Sequence, residues 1–419
     1  MCVFYRAAIA AILFLTGSAA VNAAEPLTLA EAESLALEAE PGIAMLQANA
    51  AALRERAVVA GELPDPVMRI GLNNFPLESG GFSTEGMTQA AVGFRQMFPA
   101  GAKRELGALA LRQTASAREE QGAARRREVL TATRHAWLDV YRQQHSLDLL
   151  RESRPFFAEL VEISRSLYEV GRKGQQDVLR AQLELSRLDD RLIDNERRLA
   201  RARAVLGEWI GIESQRPVAN VLPEWRSIPV LEDIENGLRE HPLLRAADAD
   251  IDARNTGVDL AGQRSKPGWS LDVGYGYREG NLPNGQPRSD MITVGISVDL
   301  PFFRRDSIDS TLAAALQERS AANAQRRQLH RTLTSRVEAE HAHFTQLSRR
   351  MELYEQQILS QASDHAAASL LAYQNDQADF ANVMRAYIDD LDTRTRYIHL
   401  QVDRAASYAV LANLGGFPK

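Results

Sequence analysis

Hydrophobic and polar positions alternate along this chain with two different periods, and the switch between them occurs twice. From Pro267 to Phe303 the period is two. Trp269, Leu271, Val273, Tyr275 and Tyr277 share one parity, and Ser270, Asp272, Gly274, Gly276 and Arg278 the other. The return segment sets Ile292, Val294, Ile296, Val298 and Leu300 against Thr293, Gly295, Ser297 and Asp299. Alternation this strict predicts antiparallel strands with one apolar face. A weaker copy stands earlier: Met68, Ile70 and Leu72 oppose Arg69, Gly71 and Asn73, while Val92, Phe94 and Phe98 oppose Gly93 and Arg95. Strands are therefore expected over 66–76, 87–98, 268–279 and 290–301.

Elsewhere the period is that of a helix. Two very long helices are predicted, over 101–170 and 306–372, rich in Ala, Leu, Arg, Glu and Gln and interrupted by proline only at Pro155. Shorter helices are expected over 38–60, 175–208 and 380–412, and Thr28 with Glu31 has the spacing of a capping box. A helix of about 70 residues is roughly 105 Å long. The opening and closing helices together approach that length, so each can stack beside a long helix as a two-stranded staff.

The chain is written twice. "LTLAEAESLALEAEPGIAMLQ" from Leu27 matches "IPVLEDIENGLREHPLLRAAD" from Ile228, and Pro41 and Pro242 lie 201 residues apart. "VGFRQMFP" ending at Pro99 matches "VGISVDLP" ending at Pro301, 202 apart, and "DVLRA" from Asp177 matches "NVMRA" from Asn382, 205 apart. Conserved order with little drift indicates a tandem duplication. The organisation expected is a first repeat over 24–212, a proline-interrupted linker over 213–229 and a second repeat over 230–416. Each long helix ends in a polar break, 171–174 or 373–379, before the closing helix. Gly171 and Gly174 fit backbone angles that a tight reversal needs.

The alternating segments admit two settings. One is a soluble sheet with one face on a core. The other is a membrane barrel, apolar toward lipid and polar toward a lumen, with strands of about ten residues long enough to cross when tilted. In that setting Trp269, Leu271, Val273, Tyr275, Ile292, Val294, Ile296 and Val298 face lipid, and aromatics at the strand ends form interface girdles. Four strands cannot leave open edges in lipid, so several chains must close the sheet. Two chains give a barrel filled by its own side chains and three give a usable lumen; periodicity does not choose between them.

Composition narrows the class. Arg6, the apolar run Ala7 to Leu15 and the small-x-small Val21-Asn22-Ala23 predict a secretory signal peptide over 1–23, cleaved after Ala23. The only cysteine is Cys2, so the exported chain is expected to carry no disulfide and no thiolate metal site. A net charge of −6 gives no reason to invoke nucleic acid. "DADID" at Asp248–Asp252 resembles the start of a calcium loop, but Ala253 stands where glycine is needed. Glu338, His341 and His343 are poorly spaced for one metal on a helix face. No catalytic motif, cofactor site or metal site is read, and no enzyme is expected.

The duplicated plan, together with "LTLAEAESLALEAEP", "AGELPDP", "VGFRQMFPAGAKR", "YEVGRKGQQDVLRAQLELSRL" and "AVLANLGG", resembles the TolC family of outer-membrane efflux factors. "ELPDPVMRIGLNNFP" and "MTQAAVGFRQMFPAGAKR" are most similar to its heavy-metal branch. The resemblance implies a mainly α fold with a small β part, built as a homotrimer with a twelve-stranded barrel in outer-membrane lipid and a long periplasmic helical tunnel. It implies a passive efflux duct that meets a periplasmic adaptor and an inner-membrane pump of RND type, with heavy-metal cations as cargo; drugs or an exported polypeptide remain alternatives. A coiled-coil surface or periplasmic protein is the rival of another class. The family's closing hairpins correspond here to the two polar breaks, which places Gly171, Gly174, Asp177, Asp376, Asp379, Asn382 and Arg385 at the gate and adaptor contact. Some members carry an acidic ring just beyond the second tip, where this chain has Asn382 and Arg385.

Overall fold

The computed structural model describes residues 25–417 apart from residue 226. The cleavage site at Ala23 lies outside the described residues. Nine α-helices and four strands are described, in the order α1 (Leu29–Ala39), α2 (Pro41–Gly61), β1 (Val67–Asn73), β2 (Gln89–Phe98), α3 (Lys103–Glu169), α4 (Gln175–Ile210), α5 (Leu231–Gly237), α6 (Pro242–Gly262), β3 (Trp269–Tyr277), β4 (Met291–Val298), α7 (Arg305–Leu353), α8 (Leu359–Gln374) and α9 (Phe380–Gly415). Both halves run helix, hairpin, long helix, turn, helix.

Two local choices differ from the sequence expectation. The opening helix is two helices: Pro41 starts α2 at its first turn, and the Glu40 carboxylate accepts from Gly42 N at 2.9 Å. Proline there removes an N–H that had no partner anyway. Thr28 caps α1, accepting from Glu31 N at 3.2 Å. The second long helix is not uniform either, because Tyr354–Ile358 forms a π-helical turn between α7 and α8. In the first half Pro155 sits at a similar distance from the tip, inside an α3 that continues through it.

The helices hold together through three apolar clusters. One joins α1, α3 and α4 around fully buried Trp137, whose indole N–H donates to Leu27 O at 3.0 Å. A second lies near the tips around Leu160, Tyr373 and Phe380. The third packs α5 and α6 against α7 and α9. The segment between repeats bridges them: Leu27 pairs with Val218 as an isolated parallel bridge, and Trp225 stacks on Tyr408 at 4.9 Å. A buried ion pair, Arg134 Nε to Glu33 Oε1 at 2.6 Å, ties α3 to α1.

Packing is lopsided. α3 packs on α2 and α4 of its own repeat and on α6 and α9 of the other. α7, its counterpart, packs on α5, α6 and α9, but among the described residues it has no second flanking helix to match the one that α6 of the other repeat gives α3. The far side of α2 in turn exposes Met45, Val58 and Val59.

Candidate functional site: the sheet and the helical tips

All four strands form one antiparallel sheet in the order β1-β2-β3-β4. The register aligns the alternation across its whole width. Met68, Phe94, Val273 and Val294 stand in one row, and Ile70, Val92, Tyr275 and Ile292 in the next. Leu271 pairs with Ile296, and Trp269 with Phe98 and Val298. All eight residues expected on the apolar face therefore lie on it. Seven are exposed and Leu271 is half-buried; Ile292 is 77% and Val294 66% exposed, unusual for β-branched side chains at the centre of a strand.

Aromatic rings mark both ends of this face. Phe98 stacks on Trp269 at 4.1 Å where the strands meet the helices, and Phe302 and Phe303 stand exposed beyond β4. At the loop end Tyr277 stacks on Phe82 at 6.3 Å. From Trp269 to Tyr277 the strand rises roughly 26 Å. On the other face glycine is the most frequent residue, at Gly71, Gly93, Gly274, Gly276 and Gly295. Arg69, Gly93, Gly274 and Thr293 form one row, and the next holds the pair Arg95 Nε–Asp272 Oδ1 at 2.6 Å. The loops over 74–88 and 278–290 are tied by arginines: Arg288 donates to the carbonyls of Ser83 and Glu85, and Arg278 to that of Gly86.

The tips lie at the far end of the helices. After α3 the chain reverses through Gly171 at φ 73°, with Arg172 N and Lys173 N both donating to Leu167 O. After α8 the equivalent position is Asp376 at φ 59°, a left-handed angle that a residue with a Cβ adopts at some cost. The two turns meet there. The Asp376 carboxylate binds the Arg172 guanidinium and takes Lys173 Nζ at 2.8 Å. Lys173 Nζ also lies 4.7 Å over the ring of Tyr373, which is fully buried against Phe380. Hydrogen bonds from Lys173 and then Arg172 lower the Asp376 pKa to about 2. Burial first, then the charges of Asp177 and Asp376, push the Tyr373 hydroxyl up to about 12, so it stays protonated.

Of the tip residues expected from sequence, Gly171, Asp177 and Asp376 gather around this contact. Gly174 does not need its glycine: its φ is −85°, ordinary extended backbone at the start of α4, which corrects the expectation of an unusual angle. The turn is closed before it by the two N–H groups on Leu167 O. Asp379 begins α9 without a side-chain capping bond. Asn382 and Arg385 lie exposed along α9 and line a shallow groove with His365 and Ser369. Sequence reading passed over Arg172 and Lys173. The signal was there: two bases stand beside the first turn where the second turn has an acid. Asp248 of the calcium-like stretch lies within α6 and pairs with Arg326 at 2.7 Å.

Residues 234–416 match the family model described as outer membrane efflux protein. The match spans 183 of the 419 residues, all in the second half of the chain. No curated protein matches it. The fold is similar to that of CusC, with 16% identity, a TM-score of 0.78 and 93% and 92% of the two chains covered. It is also similar to VceC of Vibrio cholerae, with 16% identity, a TM-score of 0.76 and 92% and 96% covered. MtrE of Neisseria gonorrhoeae, solved in an open state, gives 16%, 0.73, 93% and 88%. At these identities the likeness establishes a shared fold, that of solved outer-membrane channels.

Proposed function

We propose that three copies of the chain close head to tail into one duct, with the apolar sheet face in lipid and the polar face lining the lumen. The observation that carries this reading is the matched pair of open sides. Among the described residues β1 and β4 each lack a partner along one edge, and α7 lacks the second flanking helix that α6 supplies to α3 across the repeats. A neighbour's β1 and α2 fill both gaps at once, a heterologous contact that forms a ring when the rotation closes. Three four-stranded sheets then make the twelve strands of a barrel with a lumen. Channels of this family are homotrimers that work with an adaptor and an inner-membrane pump.

In this reading Gly171, Gly174, Asp177, Asp376, Asp379, Asn382 and Arg385 form the periplasmic mouth, where the adaptor docks. The contact of Asp376 with Arg172 and Lys173 holds the two turns of one protomer together, and docking opens it at low cost because all three groups are partly solvated. The pump is of RND type and the cargo a heavy metal; the resemblance of "ELPDPVMRIGLNNFP" and "MTQAAVGFRQMFPAGAKR" to the heavy-metal branch supports this. The test is deletion of the gene and complementation. Loss of an outer-membrane, heat-resistant trimer together with raised sensitivity to metal salts is expected. A processed protein found soluble overturns the duct, and unchanged metal sensitivity alongside drug sensitivity overturns the cargo.

A further inference from the structure

The polar sheet face is sparsely charged, and its charges do not balance. Within the strand bounds it carries Arg69, Arg95 and Asp272. Asp272 is engaged by Arg95 at 2.6 Å, so it is not available to Arg69. Arg69 stands in a row whose next two positions are Gly93 and Gly274, which present no side chain at all. It has no ion pair or hydrogen bond among the described residues. β1 is an edge strand, so a partner could come from the copy that pairs with it. In the closure proposed above that edge meets β4, whose polar-face residues are Met291, Thr293, Gly295 and Ser297. None is an acid. Asp290 and Asp299 lie beyond the two ends of β4, outside the strand.

We infer that Arg69 sets the charge selectivity of the barrel. Three copies place a ring of unneutralised guanidiniums at mid-height in a glycine-lined lumen, and this ring favours anions over cations. The inference rests on the proposed reading of the polar face as the lumen. A metal passes such a ring more readily as an anionic chloride or thiolate complex than as a bare cation. In water a fixed charge about 10 Å away alters the local concentration of a monovalent ion about twofold. Three copies multiply that effect, and salt screens it beyond a Debye length of about 10 Å at 0.1 M.

The experiment is reversal potential in a planar bilayer under a dilute KCl gradient, using trimers purified from the outer membrane. Arg69→Glu is expected to raise the cation-to-anion permeability ratio at least about fourfold, since two unit charges change per copy, and the effect shrinks in concentrated salt. Arg69→Cys guards against a variant that fails to assemble. With Cys2, the only native cysteine, replaced by serine, a sulfonate-bearing methanethiosulfonate added to the assembled channel places a negative charge at that site alone. A shift toward cations on modification supports the inference. A thiol that reacts from water with no change in permeability ratio overturns it and leaves the lumen reading intact. A thiol at 69 that does not react from water, while one at 294 does, overturns the orientation of the sheet itself.

Discussion

Val294→Arg is the substitution whose outcome the sheet geometry dictates most closely. Val294 lies in the central row with Met68, Phe94 and Val273, on the same face as Ile292 and Ile296. It is 66% exposed in the single chain although its neighbours on that face are apolar. If that face meets lipid, arginine near the bilayer midplane costs about 2–4 kcal/mol. Three copies per particle bring the penalty to roughly 6–12 kcal/mol, comparable with the whole stability of a folded domain. Ser297→Arg is the matched control, because Ser297 pairs with Ser270 on the opposite, polar face. The assay is the amount of heat-resistant trimer in isolated outer membranes. Val294→Arg should nearly abolish it and Ser297→Arg should leave most of it. Equal recovery of the two would refute the assignment of faces.

Three further outcomes follow. Asp376→Asn removes the carboxylate shared by Arg172 and Lys173 and should raise single-channel conductance or open probability by less than about tenfold, the range of exposed ion pairs; unaltered gating would move the constriction elsewhere. The Asp376 pKa lies at about 2, below its ordinary 3.8, so its contribution is complete above pH 3.8 and is lost only as pH falls toward 2. Conductance of the resting channel should therefore be the same at pH 5 and pH 7, and a leak appearing at pH 5 would contradict that contact as the lock. Glu33→Ala strands the buried Arg134 guanidinium and should cost about 3–5 kcal/mol, read as a lower unfolding temperature of the detergent-solubilised channel.

Much of the architecture is written in local periodicity. Parity alone puts Trp269, Val273, Val294 and their companions on one face, because side-chain direction in a strand alternates whatever the strand packs against. What sequence missed depends on contacts between distant segments. Nothing in "YEQQI" marks a π-helical turn, since that stretch contains neither glycine nor proline. The left-handed angle at Asp376 is legible only by analogy with Gly171, and its stabilisation comes from Arg172 and Lys173, about two hundred positions earlier. The break at Pro41 was legible: proline after a capping Glu40 is a helix start. Gly174 was over-read, because a glycine in a turn suggests an unusual angle even where the turn is already closed.

The central claim is that this chain becomes a channel only as three copies. The most direct measurement is the mass of the native particle extracted from outer membranes in mild detergent, taken together with its conductance in a bilayer. Three chains per conducting particle is the predicted result, since each chain supplies four strands with two open edges. A conducting monomer, or a stable dimer as the largest species, would contradict it.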